Sequence, residues 1–222
     1  MPTIIDLTMP VENHLRWPVE RKLIGDFSRG EQFQITWAGW AVHGFTHMDA
    51  PRHMLPEGPT TSDIALERLT GSCAVFDLSN MADNAPINAA RLARANPEVL
   101  PGDIALLKTH WDLRYDNTTA QFWTQAPYLT GDAAHWLLDS GIKAAAFDFP
   151  QDYPIRLLLN KQVAPISEFV THDILLRNNV ILIEYLCNAV AVRSMRTTFY
   201  CLPLKIVNAD GAPARVIVIE DD

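Results

Sequence analysis

The sequence predicts a single α/β domain. Short apolar runs at 73–78, 104–107, 143–148 and 180–186 alternate with helical stretches at 61–69, 86–95 and 130–138, an order that layers helices on a sheet. A chain of 222 residues, 48% hydrophobic and 20% charged, is long enough for one sizeable core. No internal repeat, low-complexity tract or linker divides it.

Taken in order, Ile4, Ile5 and Leu7 form a short strand before Pro10, and the segment through Trp17 and Pro18 has too much proline and charge for regular structure. Residues 32–42 alternate, with Phe33, Ile35 and Trp37 on one side and Gln34, Thr36 and Ala38 on the other, as in a half-buried strand running straight into His43. Gly44 ends the alternation and Pro51 holds Ala50 extended, so 43–53 reads as strand end plus loop; the i,i+4 spacing of His43 and His47 leaves a helix as the alternative. Proline in the first turn starts the helix at 86–95. From Asp112 to Tyr128 the pattern dissolves among aromatic and polar residues, predicting an irregular loop that walls a pocket. Thr130 caps a helix through Leu138 that stops at Gly141. Thr171 caps a short helix beginning at His172, Asn178 and Asn179 make a turn, and 180–186 is a strand buried on both faces. Strands at 199–207 and 214–220 close the chain, joined by Asn208-Ala209-Asp210-Gly211.

Chemistry concentrates at residues 43–53, where His43, His47, Asp49 and His53 fall within eleven positions of a chain that has seven histidines in all. Imidazole nitrogen with carboxylate oxygen suits Zn(II), Mn(II) or Fe(II), and three ligands from one segment leave positions open for water and substrate. In extended backbone His47 and Asp49 face the same way, and the Gly44 turn brings His43 round. A second signal is Glu184 amid Val180, Ile181, Leu182, Ile183 and Leu186. A carboxylate buried there needs a cationic partner, either a metal ion or an arginine such as Arg215.

The formal charge of -8 and pI near 5.3, without a Lys/Arg cluster, argue against a nucleic-acid partner and for a small-molecule substrate. Cys73, Cys187 and Cys201 are odd in number and far apart, as expected of reduced thiols in core packing. No basic-then-apolar N-terminal stretch and no 18-residue apolar run occurs, so a cytoplasmic protein with no membrane partner is expected.

On these residues the chain resembles the metal-dependent hydrolases of the cyclase family, which include bacterial kynurenine formamidases and isatin hydrolases. The match rests on the His-x3-His-x-Asp-x3-His spacing of His43, His47, Asp49 and His53, followed by His172 and Glu184 twelve apart. Asp6-Leu7-Thr8, Asp49-Ala50-Pro51, Gly102-Asp103-Ile104, Pro203-Leu204-Lys205 and Gly211-Ala212-Pro213 support it in the same order. The resemblance implies a swivelling β/β/α-type fold with mixed sheets and flanking helices, assembled as a homodimer or homotetramer. It implies one metal on His43, His47 and Asp49, a second, where present, on Asp49, His172 and Glu184, and His53 as catalytic acid/base. The chain departs from the family at Phe45-Thr46, at Thr109-His110-Trp111 and at Asp148-Phe149-Pro150-Gln151-Asp152-Tyr153, all near expected pocket walls.

One or two Zn(II) or Mn(II) ions per chain acidify water for attack on a carbonyl carbon, which makes hydrolysis of a small amide, formamide or lactam the expected reaction. His53, titrating near neutrality, carries the proton to the leaving nitrogen; a fourth ligand is its competing role. Phe45, Trp37 and Trp111, with Trp40 and Trp123, offer flat walls for an aromatic substrate, and His110 reaches toward the same pocket; core packing is their competing role. His14 and His135 read as surface residues. A lyase or cyclase, or a lactone hydrolase, shares every ligand, whereas a non-catalytic metal protein would need a closed four-ligand site.

Overall fold

A computed structural model describes residues 1–95 and 97–220. Strand β1 (Thr3–Asp6) leads into an irregular arm, followed by a hairpin of β2 (Glu20–Gly25) and β3 (Ile35–Gly39). After β4 (His47–Asp49) come β5 (Thr70–Asp77), the short β6 (Pro86–Ile87), helix α1 (Ala89–Ala95) and β7 (Ile104–Lys108). Helices α2 (Trp111–Arg114) and α3 (Ala120–Thr124), the short β8 (Tyr128–Leu129), helix α4 (Gly131–Asp139) and β9 (Ala144–Phe147) follow. A π-helical turn at Thr171–Leu175 precedes β10 (Ile181–Glu184), and the chain ends in β11 (Arg196–Pro203) and β12 (Gly211–Glu220).

Eight strands form one mixed sheet in the order β1-β12-β11-β5-β7-β9-β10-β4. Strand β12 is long enough to serve two neighbours on one edge: residues 211–213 pair with β4 and residues 217–220 with β1. The β12–β4 pairing closes the sheet into a barrel and removes the open edge that β4 would otherwise present. Strand alternation then makes two cores from one sheet. Ile104, Leu106, Ala144, Ala146, Ile181, Ile183 and Met48 fill the barrel, while Ala105, Leu107, Ala145, Phe147 and Leu182 pack outward against α4 and the turns around it. Both sides are apolar, so these strands read as continuous hydrophobic runs. The expected single α/β domain with mixed sheet and flanking helices is the observed one.

Several local expectations need correction. Residues 35–39 do form a strand, but it pairs only with β2 in a hairpin whose apolar side chains stand in solvent, Phe33 at 70% exposure; Trp37, 42% exposed, lies beside Lys22. Residues 35–38 are exposed whichever face they occupy, so the alternation did not signal half-burial. The strand also stops short of His43, which lies in a turn. At 61–69 only Leu66–Arg68 forms a 3-10 turn, and Pro86–Ile87 pairs with β8 before α1 begins. The supposed loop at 112–128 contains α2 and α3, packed through Trp111, Phe122 and Trp123. His14 is half-buried, stacked on Trp17 at 4.5 Å between ring centres, with its Nε2 donating to the Asn117 carbonyl at 2.9 Å. Cys73 and Cys201 are buried free thiols and Cys187 is half-buried.

Candidate metal centre

Strands β4 and β10 lie antiparallel with Glu184 opposite His47 and Leu182 opposite Asp49. Because Met48 points into the barrel, His47 and Asp49 point out of it, and Glu184 shares their face. Three potential ligands are thus fixed by two paired strands rather than by loops. Glu184 ends its strand instead of standing in the middle of it, and the arginine alternative is overturned, since Arg215 pairs with Asp6. Glu184 instead faces His47 at 3.8 Å and His172 at 3.5 Å and accepts a hydrogen bond from the buried amide of Gln151.

Each imidazole is oriented by a group that sequence spacing did not reveal. The chain turns at 41–46 with Phe45 at φ 60°, a left-handed conformation that costs a non-glycine residue about 1–2 kcal/mol and that its buried ring offsets against Trp17. That turn aims the Phe45 carbonyl at His47 Nδ1 (2.8 Å), so Nδ1–H donates to it and Nε2 carries the lone pair. His172 sits on the π-helical turn, a distortion common at functional sites. Its Nδ1–H donates to Asp152 at 2.7 Å, and Asp152 also accepts from Thr171 N and Oγ1, so one buried carboxylate fixes both the turn and the ring. His172 Nε2 then lies 3.5 Å from both Asp49 and Glu184. His43 donates from Nδ1 to Asp49 (2.6 Å) and from Nε2 to Asp210 (2.8 Å). Gly211, opposite Asp49 in register, admits the His43 ring, for a Cβ there would stand 2.7 Å from His43 Cε1. His53 follows on a 3-10 turn, its ring 4.0 Å from that of His43 and its Nδ1 3.4 Å from Asp210.

The electrostatics follow from this crowding. Burial works against a charge on His43, but Asp49 and Asp210 outweigh it and raise the pKa to about 9. Burial likewise opposes charge on His172, and Asp152, Asp49 and Glu184 together raise it well above the usual value. Asp49 is fully buried, yet the surrounding His47, His172 and His43 imidazoles hold it well below the normal carboxylate range. Burial lowers the pKa of His53, which keeps that ring neutral near pH 7.

Among the described residues, two buried atoms at the centre find no hydrogen-bond partner, His47 Nε2 and Asp49 Oδ2. His47 Nε2 also stands 3.1 Å from Asp49 Oδ1 without hydrogen-bonding geometry, two electron-rich atoms side by side. Orphaned acceptors in a dry site are what a cation satisfies. His47, Asp49 and Glu184 offer one set of ligand atoms within 4.8 Å of one another, and His43, Asp49 and His53 another, both centred on Asp49. The grouping differs from the one the resemblance implies, with His43 joined to His53 and His47 to Glu184. A donor set of imidazoles and carboxylates fits Zn(II) or Mn(II).

The cluster forms the floor of a cavity of about 390 Å³. Its walls are Trp17, Tyr185, Phe169, Ile155, Leu158, Ile166 and Met54, with Arg16 at one side. The expected wall residues are corrected: Phe45, Trp37, Trp111 and His110 do not line it. Phe45 and Trp111 are buried in the outer core, the Trp111 Nε1 donating to the Phe122 carbonyl; Trp37 stands on the exposed hairpin, and His110 takes up a left-handed bend whose N–H donates to Asp148. Tyr185 enters the cavity because it takes φ 58° directly after β10, which swings its ring across His47 at 5.4 Å. Asp152, Asp210, Gln151, Arg16 and Tyr185 were not singled out from the sequence. Gln151 and Asp152 left a trace there, in the segment at 148–153 that departs from the family near an expected pocket wall, and Asp210 stood only as part of the connection between the last two strands.

A family model described as putative cyclase matches residues 5–151. Kynurenine formamidases of Bacillus cereus and Bacillus anthracis are each 23% identical over 219 residues, which cover 96% of this chain, and 96% of the B. cereus protein. A solved structure described as a potential metal-dependent hydrolase with cyclase activity superposes with a TM-score of 0.77 at 28% identity over the full length of both chains. A predicted metal-dependent hydrolase from Bacillus stearothermophilus gives 0.76 at 27%, again over both full chains. Isatin hydrolase A from Labrenzia aggregata shares the fold, with a TM-score of 0.79 at 19% identity over all of this chain and 94% of that one. With its fold and more than half of its length matched, the chain belongs to the cyclase family and stands among its hydrolases.

Proposed function

We propose that this protein is a metal-dependent amidohydrolase that cleaves the C–N bond of a small aromatic amide, formamide or lactam, using one or two Zn(II) or Mn(II) ions per chain. The observation that carries the reading is the pair of orphaned acceptors, His47 Nε2 and Asp49 Oδ2, buried beside Glu184 at the floor of an apolar-walled cavity. The names of the kynurenine formamidase relatives point the same way. His43, His47, Asp49, His172 and Glu184 would hold the cation, which when bound supplies Lewis acidity toward a carbonyl oxygen and acidifies water.

The remaining work falls to side chains. Phe45 and Asp152 hold His47 and His172 with Nε2 facing inward, so these two rings already point at the centre when a cation arrives. Trp17, Tyr185 and Phe169 form flat walls that seat an aromatic ring and exclude water. His53, kept neutral by burial and steered by Asp210, takes a proton from the attacking water and returns it to the leaving nitrogen. A second reading has its own observation: His53 lies within ligand reach of His43 and Asp49, which would make it a ligand instead.

We further read the protein as a cytoplasmic homodimer or homotetramer that binds neither nucleic acid nor membrane. The exposed apolar side chains of the β2–β3 hairpin, Leu23, Ile24, Phe33, Ile35 and Trp37, support self-association. Among the described residues no helix is long and apolar enough to cross a membrane. The test of function is a hydrolysis screen of protein reconstituted with Zn(II) or Mn(II) against formanilides, isatin, lactones and cyclic imides. Chelator-sensitive hydrolysis of an amide or lactam is expected. Turnover of lactones alone, or none at all, would refute the amidohydrolase reading.

A further inference from the structure

The cavity carries a permanent cation on its wall, Arg16, and among the described residues no carboxylate answers it. Arg16 makes no ion pair among the described residues; its guanidinium lies over the rings of Trp123 (4.3 Å), Trp17 (5.0 Å) and Tyr185 (5.6 Å), and its Nη1 donates to the Tyr185 hydroxyl at 3.3 Å. That seat uses the faces of the guanidinium and one of its five N–H donors, which leaves the rest of its in-plane fork without an acceptor. Arg114, Arg177, Arg196 and Arg215 each pair with an aspartate, and Arg156, which like Arg16 lies over aromatic rings, spends its donors on Asn84 and on the carbonyls of Thr124 and Ala126, acceptors that Arg16 lacks. A smaller cavity of about 240 Å³ adjoins the first through Arg16, Trp17 and Leu158, and its lining adds Lys161 and no acid.

We propose that Arg16 determines substrate specificity by receiving a carboxylate, so that the preferred substrates are aryl amides with an anionic group on the far side of the ring from the scissile carbonyl. This rests on the amidohydrolase reading above and names its substrate class. The spacing supports it. Tyr185 neighbours both ends, its ring 5.4 Å from that of His47 and 5.6 Å from Arg16 Cζ, so the guanidinium and the cluster stand at most about two such spacings apart, within reach of one substituted aromatic ring. The polarity supports it as well, because the end of the cavity where Arg16 stands adjoins the second cavity, whose lining adds Lys161 and no acid, and that pair of cations attracts an anionic tail. Arginine presents a planar fork matched to a carboxylate, and the aromatic rings beneath hold it in place before the ligand arrives.

The bland alternative is a cation–π staple that merely pins the arm at residues 14–17. The two roles separate in a ratio. The metal-loaded parent and Arg16→Met, which keeps an unbranched apolar stem over the rings, are assayed on formanilide and on 2-, 3- and 4-formamidobenzoate. The parent is expected to favour 3- or 4-formamidobenzoate over formanilide in kcat/KM, chiefly through KM, and in Arg16→Met that preference should fall about tenfold or more, with Arg16→Lys intermediate. A staple would depress all substrates together and leave the ratio unchanged; that result, or a parent that prefers neither of these isomers, overturns the proposal. Should no amide be hydrolysed, the amidohydrolase reading fails, but Arg16 is still tested by calorimetric titration of the metal-loaded proteins with benzoate and benzamide. Benzoate affinity should then fall about tenfold more than benzamide affinity in Arg16→Met. Equal benzoate binding by both proteins would mean that the metal cluster, not Arg16, holds the anion, and would overturn the assignment.

Discussion

Gly211→Ala tests the centre without replacing any proposed ligand. A methyl group at that position would lie 2.7 Å from His43 Cε1, 3.0 Å from its Nδ1 and 3.1 Å from the Met48 carbonyl oxygen. Carbon atoms settle at about 3.5–4.0 Å, so the imidazole must retreat by roughly 1 Å or the β4–β12 pairing must open. His43 cannot retreat freely, because Asp49 and Asp210 hold its two nitrogens at 2.6 and 2.8 Å and the His53 ring lies 4.0 Å away. Overpacking of this kind costs about 1–3 kcal/mol, while the loss of glycine's unfolded-state freedom returns about 0.4–1 kcal/mol. The net is a destabilisation of about 1–2 kcal/mol, a drop of roughly 2–8 °C in the melting temperature of a chain this long. Metal geometry tolerates only about 0.2 Å of ligand displacement, so affinity should fall by about 10–100-fold, the range seen when groups that orient a ligand are removed. Chelator-competition titration with Zn(II) or Mn(II), beside a melt of the metal-free protein, reads both effects. Parental affinity with a parental melt would show that His43 moves without penalty or lies outside the metal site, and the geometry argued above would be wrong.

The other predictions divide ligands from the groups that serve them. At saturating metal, His53→Ala should retain metal and lose about 10²–10⁴-fold in kcat, whereas His47→Ala should lose metal and activity together; recovery of His53→Ala with added metal would make His53 a ligand. Glu184→Gln should lower metal occupancy more than it lowers the melting temperature, and a variant that binds metal like the parent but melts earlier would show a purely structural carboxylate. Asp152→Asn should weaken metal binding by about 10–100-fold through the freed His172 ring, measured by the same competition titration, and unchanged affinity would remove Asp152 from that role. The pH behaviour has a definite sign, because His43 is raised from 6.5 to about 9 in the folded chain. Its charge stabilises the metal-free protein fully below pH 6.5 and ceases to do so as the pH rises through about 9, while metal, which must displace that proton, binds more tightly over the same interval. Melting curves and metal titrations between pH 6 and 9.5 check both trends, and parallel rather than opposite slopes would refute the link.

The barrel strands β5, β7, β9 and β10 were legible because both their faces are buried, which writes each one as an uninterrupted apolar run. Barrel closure left no such mark. It depends on Gly211, Ala212 and Pro213 meeting Asp49, Met48 and His47, a pairing between opposite ends of the chain that no local periodicity encodes. The hairpin shows the converse limit. Phe33, Ile35 and Trp37 alternate as a half-buried strand should, yet alternation says which side chains share a face and not whether anything covers that face. In 112–128 the helices were missed because Trp111–Arg114 and Ala120–Thr124 are each too short for a helical period to emerge.

The same distinction divides the candidate site. His47 and Asp49 were readable as a pair because an extended strand turns residues two apart to one side, and Glu184 stood out because a carboxylate in an apolar run requires a partner. The walls were misassigned because aromatic identity does not say which ring a cavity meets. Tyr185 reaches it through a left-handed backbone and Trp17 through an irregular arm, while Phe45 and Trp111 turn into the core. The carboxylates that orient the imidazoles were hidden for a deeper reason. Asp152 serves His172 from twenty residues away, and Asp210 serves His43 from the connection before β12, across the whole length of the barrel circuit. A ligand set drawn from one strand carries its geometry in its spacing, since the strand imposes that geometry before the rest of the fold exists. A group that acts on a ligand's far nitrogen comes into position only when β12 closes on β4 or when the π-helical turn docks beneath β10, so its meaning belongs to the assembled barrel and not to any stretch of sequence.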